Sequence, residues 1–207
     1  MLNELIERYP SLAACRGDIE AAKNTITDCY KKGGKILLAG NGGSAADCEH
    51  IVGELMKGFL LKRPIPDGKR EDMKARCPEI TLSVLDKLQM GLPAISLTSI
   101  NALNSAFAND VDPELMFAQS VFALGREGDV LIAISTSGNA KNVAEAAKVA
   151  RTIGMKVIAL TGRDGGALKK LSDVCVIAPE CETFKIQELH LPIYHWLCAE
   201  VERYFFG

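Results

Sequence analysis

The chain has 207 residues, 48% of them hydrophobic and 24% charged, which suffices for a sizeable core and excludes the disordered and fibrous classes. A formal charge of -2 offers no broad basic surface for nucleic acid, so any anion site has to be local. No apolar run approaches the ~18 residues of a membrane helix, and acids stand in Met1 to Arg8 where a signal peptide needs bases. The seven cysteines (15, 29, 48, 77, 175, 181, 198) are odd in number, scattered, and form no Cys-x-x-Cys pair, which argues against a disulfide framework or a thiolate zinc cluster. The expectation is a reduced, soluble, cytoplasmic protein with neither membrane nor nucleic acid as a partner.

In chain order, Leu12, Cys15, Ile19, Ala22, Ile26 and Cys29 recur at helical spacing after Pro10, predicting an amphipathic helix over about 11–32 that Gly33-Gly34 ends. A motif then repeats: an apolar run, a glycine or small-polar turn, and a helical stretch. Lys35 to Ala39 precedes Gly40 to Ser44, Asp129 to Ile134 precedes Ser135-Thr136-Ser137-Gly138-Asn139, and Lys156 to Leu160 precedes Thr161 to Gly166. With Pro93 to Leu97 and Val174 to Ala178, these runs predict a five-stranded parallel sheet in a three-layer αβα sandwich. Ligands in such sheets bind at the carboxyl ends of the strands, where these turns lie. Residues 60–91, rich in charge from Lys62 to Glu79, read as a solvated insertion with a turn at Asp67-Gly68 and a short helix through Thr81 to Met90. A last helix is expected from about Thr183 to Phe205, kinked or divided at Pro192.

Glycines in Gly40 to Ser44 let the backbone approach a ligand, and the free amides of the following helix attract anions; a tight turn with Ser44 as N-cap reads the same residues equally well. Ser135, Thr136 and Ser137 put three hydroxyls in one loop where capping needs one, which favours coordination of a phosphate without lysine or arginine. His50 and Glu54, with Asp47 three residues before, share a helix face. An imidazole and a carboxylate so placed serve as acid and base, as ligands of a divalent metal, or as a surface ion pair. On an ideal helix Glu188 and His195 align within about 20°, whereas Gln187 and His195 diverge by about 80°. His190, five residues from His195, points elsewhere and is expected to be structural.

Gly-Asn-Gly-Gly-Ser (40–44), His50-x-x-x-Glu54, Ser-Thr-Ser-Gly-Asn (135–139), Leu-Thr-Gly-Arg-Asp-Gly-Gly (160–166) and Gln187-Glu-x-His190-x-x-x-x-His195 together resemble the sugar isomerase (SIS) domain family and, within it, the phosphoheptose isomerases. The resemblance implies one SIS domain over 1–207, of flavodoxin/Rossmann-like build, that converts sedoheptulose 7-phosphate to D-glycero-D-manno-heptose 7-phosphate through an enediol. It implies Glu54 as the base and His195 as the acid/base. It further implies substrate contacts from Asn41, Gly42, Gly43, Ser44, Asn109, Asp110, Ser135, Thr136, Ser137 and Gln187, and in some members a zinc ion on His50, Glu54, Gln187 and His195. No nucleotide cofactor is implied, and homotetramers with sites at subunit interfaces are usual. The alternative within the fold is a non-catalytic phosphosugar binder or a regulator that associates with DnaA. Two departures stand out: Ala140 occupies a position where the family commonly has serine, and the 60–91 insertion is longer than usual.

Overall fold

The computed structural model describes residues 2–207. Helix α1 (Leu2–Arg8) and a 3-10 turn (Pro10–Cys15) lead into α2 (Arg16–Lys31). The helix expected over 11–32 therefore begins only at Arg16, because Cys15, at φ -117° and ψ 19°, leaves the helical region.

Five strands follow, β1 (Ile36–Gly40), β2 (Ala94–Ser96), β3 (Val130–Ile134), β4 (Lys156–Thr161) and β5 (Val174–Ile177), each within a residue or two of its predicted run. All neighbours are parallel in the order β2-β1-β3-β4-β5. One face is covered by α2, α3 (Gly43–Met56) and α10 (Thr183–Phe206), the other by α7 (Met116–Leu124), α8 (Lys141–Thr152) and the short α9 (Leu168–Leu171). With both faces covered, the strands are mostly apolar and alternate between two cores. Ile36, Leu38, Ile132 and Ile158 pack with Ile19, Ile51 and Leu197; Leu37, Ala39, Leu131 and Val157 pack with Phe117, Val121, Val143 and Ala147. The strand order reverses between β1 and β3, so the connections leaving their carboxyl ends diverge and open a crevice.

Within the insertion, Asp67-Gly68 does not form the expected turn but opens α4 (Asp67–Arg76), a helix with no buried residue. Helix α5 (Leu82–Lys87) lies inside the stretch predicted for it, its first turn capped by the Thr81 hydroxyl, which accepts from Val84 N at 3.3 Å. Arg63 departs from the solvated reading: it is 1% exposed and meets the fully buried Glu202 at 2.8 Å. The Glu202 carboxylate also accepts from the amides of Phe59, Leu60 and Leu61, while Arg63 donates to the carbonyls of Leu55 and Glu54.

Helix α10 is not divided at Pro192 but runs as one helix from Thr183 to Phe206. An interior proline costs about 3 kcal/mol; here Ile193, Tyr194 and Leu197 are buried around it, and packing outweighs the local penalty. His190 is structural, as expected. Wholly buried, its Nε2 lies 3.0 Å from the Thr161 carbonyl, which only accepts, so Nε2 carries the hydrogen and ties α10 to the end of β4.

Candidate functional site

The turn after β1 and the loop after β3 face each other across the crevice. Gly42, at φ 56°, turns the chain into α3, and Ser44 N bonds to Asn41 O. Gly42, not Ser44, occupies the N-cap position, which removes the simple capping reading of that serine. On the other side Ser135 Oγ accepts from Ala140 N at 3.4 Å and Ser137 Oγ from Asn139 N at 3.2 Å, leaving the Thr136 hydroxyl uncommitted. The loop after β4 braces this one: Gly162 N bonds to Thr136 O and Ala167 N to Asn139 Oδ1. Asn41 and Asn142 exchange two amide hydrogen bonds of 2.9 and 3.0 Å, joining the turn after β1 to the first turn of α8.

Asn41, Gly42, Gly43, Ser44, Ser135, Thr136 and Ser137 all line one open hollow of about 700 Å³, with Thr183 and Gln187 from α10 on its far wall. None of its lining residues is charged. Instead, the amino-terminal ends of α3, α8 and α10 converge on it, and unpaired helix amides with hydroxyls suit an anion. Gly43 lets the Gln187 side-chain amide lie directly against the start of α3; a Cβ there would push that flexible amide aside.

Further along α3 lies a second cluster. His50 Nε2 is 3.3 Å from Glu54 Oε1, and Lys57 Nζ is 3.1 Å from Glu54 Oε2. The His50 and His195 rings meet edge to face with centroids 5.0 Å apart, and Tyr194 stands against both, at 5.4 and 5.0 Å. Tyr194 Oη lies 3.0 Å from His50 Nδ1 and 3.3 Å from Asp47 Oδ1. Burial and the neighbouring His50 charge push the His195 imidazole below its usual range, partly offset by Glu54. Burial likewise pushes the Asp47 carboxyl up, against the Tyr194 hydrogen bond and the His50 charge, and it raises the Tyr194 phenol.

The predicted site residues thus fall into two groups, one around the starts of α3 and α10 with the loop after β3 and one further along the two helices, and two members join neither. Asn109 and Asp110 stand exposed at the end of α6 (Asn101–Asp110), bonded to each other at 2.8 Å, and line neither the hollow nor the cluster. Tyr194, Asp47 and Lys57 belong to the cluster without having been singled out as site residues; of these only Asp47, three residues before His50, left a sign in the spacing. Of the four ligands implied for zinc, His50, Glu54 and His195 stand together, and His195 Nε2 is buried without a partner. These donors suit a divalent ion in kind. Gln187 lies against Gly43, eight residues and about 12 Å along the axis from His195. Among the described residues no three His, Cys, Asp or Glu side chains are drawn close enough to enclose an ion.

The chain matches the SIS domain family over residues 3–70 and 81–162, the interruption falling inside the charged insertion. It is 34% identical over 203 residues to the phosphoheptose isomerase of Akkermansia muciniphila, covering 98% of this chain and 94% of that one. Among solved structures, the phosphoheptose isomerase of Neisseria gonorrhoeae superposes with a TM-score of 0.76 at 34% identity. That of Francisella tularensis does so with 0.78 at 31%, each comparison covering 97% of this chain and 94% of the other.

Proposed function

The chain belongs to the phosphoheptose isomerases of the SIS domain family and is an aldose–ketose isomerase; on that footing we propose that it converts sedoheptulose 7-phosphate to D-glycero-D-manno-heptose 7-phosphate. The observation that carries this reading is the pairing on α3 and α10 of an uncharged anion hollow with a Glu54–His50–His195 cluster two turns further on. The phosphate is held by the amides and hydroxyls at Asn41 to Ser44 and Ser135 to Ser137, with Gln187 beside them.

Glu54 removes the proton from the carbon beside the carbonyl, and the C–H electron pair becomes the double bond of the enediol. His195, whose depressed basicity leaves it neutral near pH 7, hands a proton to the former carbonyl oxygen and takes one from the adjacent hydroxyl. Glu54 then returns its proton to the neighbouring carbon, completing the exchange of aldose and ketose. A zinc ion on His50, Glu54, His195 and Gln187 would polarise the carbonyl. The separation of Gln187 from His195 along α10 supports sites completed between subunits of a homotetramer. Seven unpaired cysteines accord with a reducing, cytoplasmic setting, and no described helix is long and apolar enough to cross a membrane.

The test is turnover of sedoheptulose 7-phosphate and other ketose phosphates by the wild type, Glu54→Gln and His195→Ala. Losses of about 10²-fold or more in kcat are expected for each variant. Equal turnover in all three overturns the catalytic assignment, and full activity in protein shown by elemental analysis to hold no metal overturns the zinc assignment.

A further inference from the structure

We propose that Asp47 and Tyr194 are positioning residues that lock the His50 ring with its hydrogen on Nδ1 and its Nε2 lone pair turned toward Glu54. Asp47 projects from α3 into the seam with α10. Its Oδ2 is enclosed without any partner, and Tyr194 Oη, 3.3 Å from Oδ1, is the one hydroxyl that serves this carboxylate. An ionised carboxylate only accepts hydrogen bonds, so the single phenolic hydrogen of Tyr194 points to Asp47. The other contact of that oxygen, 3.0 Å to His50 Nδ1, is then one in which the ring donates. A neutral imidazole carries one ring hydrogen; with that hydrogen on Nδ1, Nε2 is bare where it faces Glu54 Oε1 at 3.3 Å.

The phenol is held for this task. Tyr194 is 2% exposed and its ring is wedged edge-on against both His50 and His195, at interplanar angles of 74° and 81°. The consequence lies in the proton transfer assigned to Glu54, on which this inference rests. When the C–H bond breaks and its electron pair stays on the sugar, the proton taken up by Glu54 Oε1 finds an acceptor in Nε2, and it returns from there through Glu54 to the neighbouring carbon. Were the ring hydrogen on Nε2 instead, it would donate to Oε1, stabilise the ionised carboxylate and so weaken Glu54 as a base, and Nε2 could take no proton on from it. With a divalent cation on His50 the bare Nε2 would hold the ion in place of that proton, and Tyr194 would anchor the other ring nitrogen as is normal for a ligating histidine.

The experiment is ¹⁵N NMR of the imidazoles in histidine-labelled wild type and Tyr194→Phe at about pH 8, where a free imidazole is neutral. Three histidines in the chain make assignment by single substitution practical. Wild type is expected to show Nδ1 of His50 protonated and Nε2 bare, and Tyr194→Phe the reverse. The variant keeps its ring and its fold, while kcat falls about tenfold or more and KM stays near the wild-type value. A bare Nδ1 in the wild type, or the same tautomer in both proteins, overturns the inference. Glu54→Gln run in parallel separates the two assignments. Retained turnover there removes the base role. An inactive Glu54→Gln beside a Tyr194→Phe with wild-type tautomer and kcat removes the lock alone.

Discussion

Glu202→Gln tests whether the buried pair with Arg63 holds the loop after α3 to α10. In the native chain the Glu202 carboxylate accepts four hydrogen bonds, from Phe59 N at 2.7 Å, Leu60 N at 2.7 Å, Leu61 N at 3.1 Å and Arg63 Nε at 2.8 Å, with no solvent at either side chain. The amide turns one acceptor into a donor facing backbone N–H groups and leaves Arg63 as an uncompensated buried charge. Removing one partner of such a pair costs about 3–5 kcal/mol, which in a chain of this size lowers Tm by roughly 6–20 °C. The double variant Arg63→Met/Glu202→Leu takes out both charges together and is expected to lose no more than the worse single change. Burial pushes the Glu202 carboxyl up, but the amides of Phe59 and Leu60 and the Arg63 guanidinium outweigh it and hold the group below the ordinary carboxylate range. A carboxyl depressed in the folded state contributes its stability in full above the unfolded value, about 4.3, and loses it as pH falls through the folded value. Urea unfolding from pH 7 down to pH 3 should therefore show a wild-type advantage that is constant near neutrality and narrows below about pH 4. An advantage under about 1 kcal/mol at pH 7, strictly additive losses in the double variant, or a gap that widens on acidification would refute the reasoning.

Gly43→Ala places a methyl group on the flexible end of Gln187, so the amide swings away while the helix start tolerates alanine; KM for the sugar phosphate should rise about tenfold with stability changed by less than about 1 kcal/mol, and an unchanged KM counts against Gln187 as a wall of the hollow. His190 is held neutral by burial, which lowers its proton affinity against the bond to Thr161. The unfolded chain therefore takes up the extra proton, and stability should fall as pH drops from about 7 toward 5, with a slope of at most about 1.4 kcal/mol per pH unit from this group. His190→Gln removes that component, and a slope identical to wild type in denaturant titrations contradicts the assignment.

The sheet was legible because a strand buried on both faces is written as an unbroken apolar run. Lys35 to Ala39 and Asp129 to Ile134 each carry such a run, and each ends in a small-residue turn at the carboxyl edge. The turns at Gly40 to Ser44 and Ser135 to Asn139 were legible as strand-to-helix connections for the same reason, and the structure brings both to one hollow. What escaped depends on contacts distant in sequence. Arg63 follows Lys62 at the start of a charge-rich segment and reads as one more solvated base; only Glu202, 139 residues away, makes it a core residue. Tyr194 reads as one more apolar position on α10 until α3 brings Asp47 and His50 to its hydroxyl. The unbroken path through Pro192 is the converse case, a strong local rule overruled by packing on both sides.

These contacts make the helix pair, rather than any single loop, the unit that aligns the chemistry. Along the seam of α3 and α10, Gln187 meets Gly43, Tyr194 meets Asp47 and His50, and Glu202 binds the amides just beyond α3, so three levels are matched in the same direction along both helices. A slip of one helix by a single turn, about 5.4 Å, would separate every one of these pairs at once. The Arg63–Glu202 pair resists that slip at the far end, since Arg63 also grips the Glu54 carbonyl, the backbone of the residue assigned as the base. His190 resists it in the middle by tying α10 to β4, and β4 is itself registered against β3, whose end carries the Ser135 loop. The distance from the phosphate hollow to Glu54 is thereby set by buried, directional contacts that a ligand does not have to form for itself, which is the condition for holding a sugar phosphate at one end while moving a proton at the other.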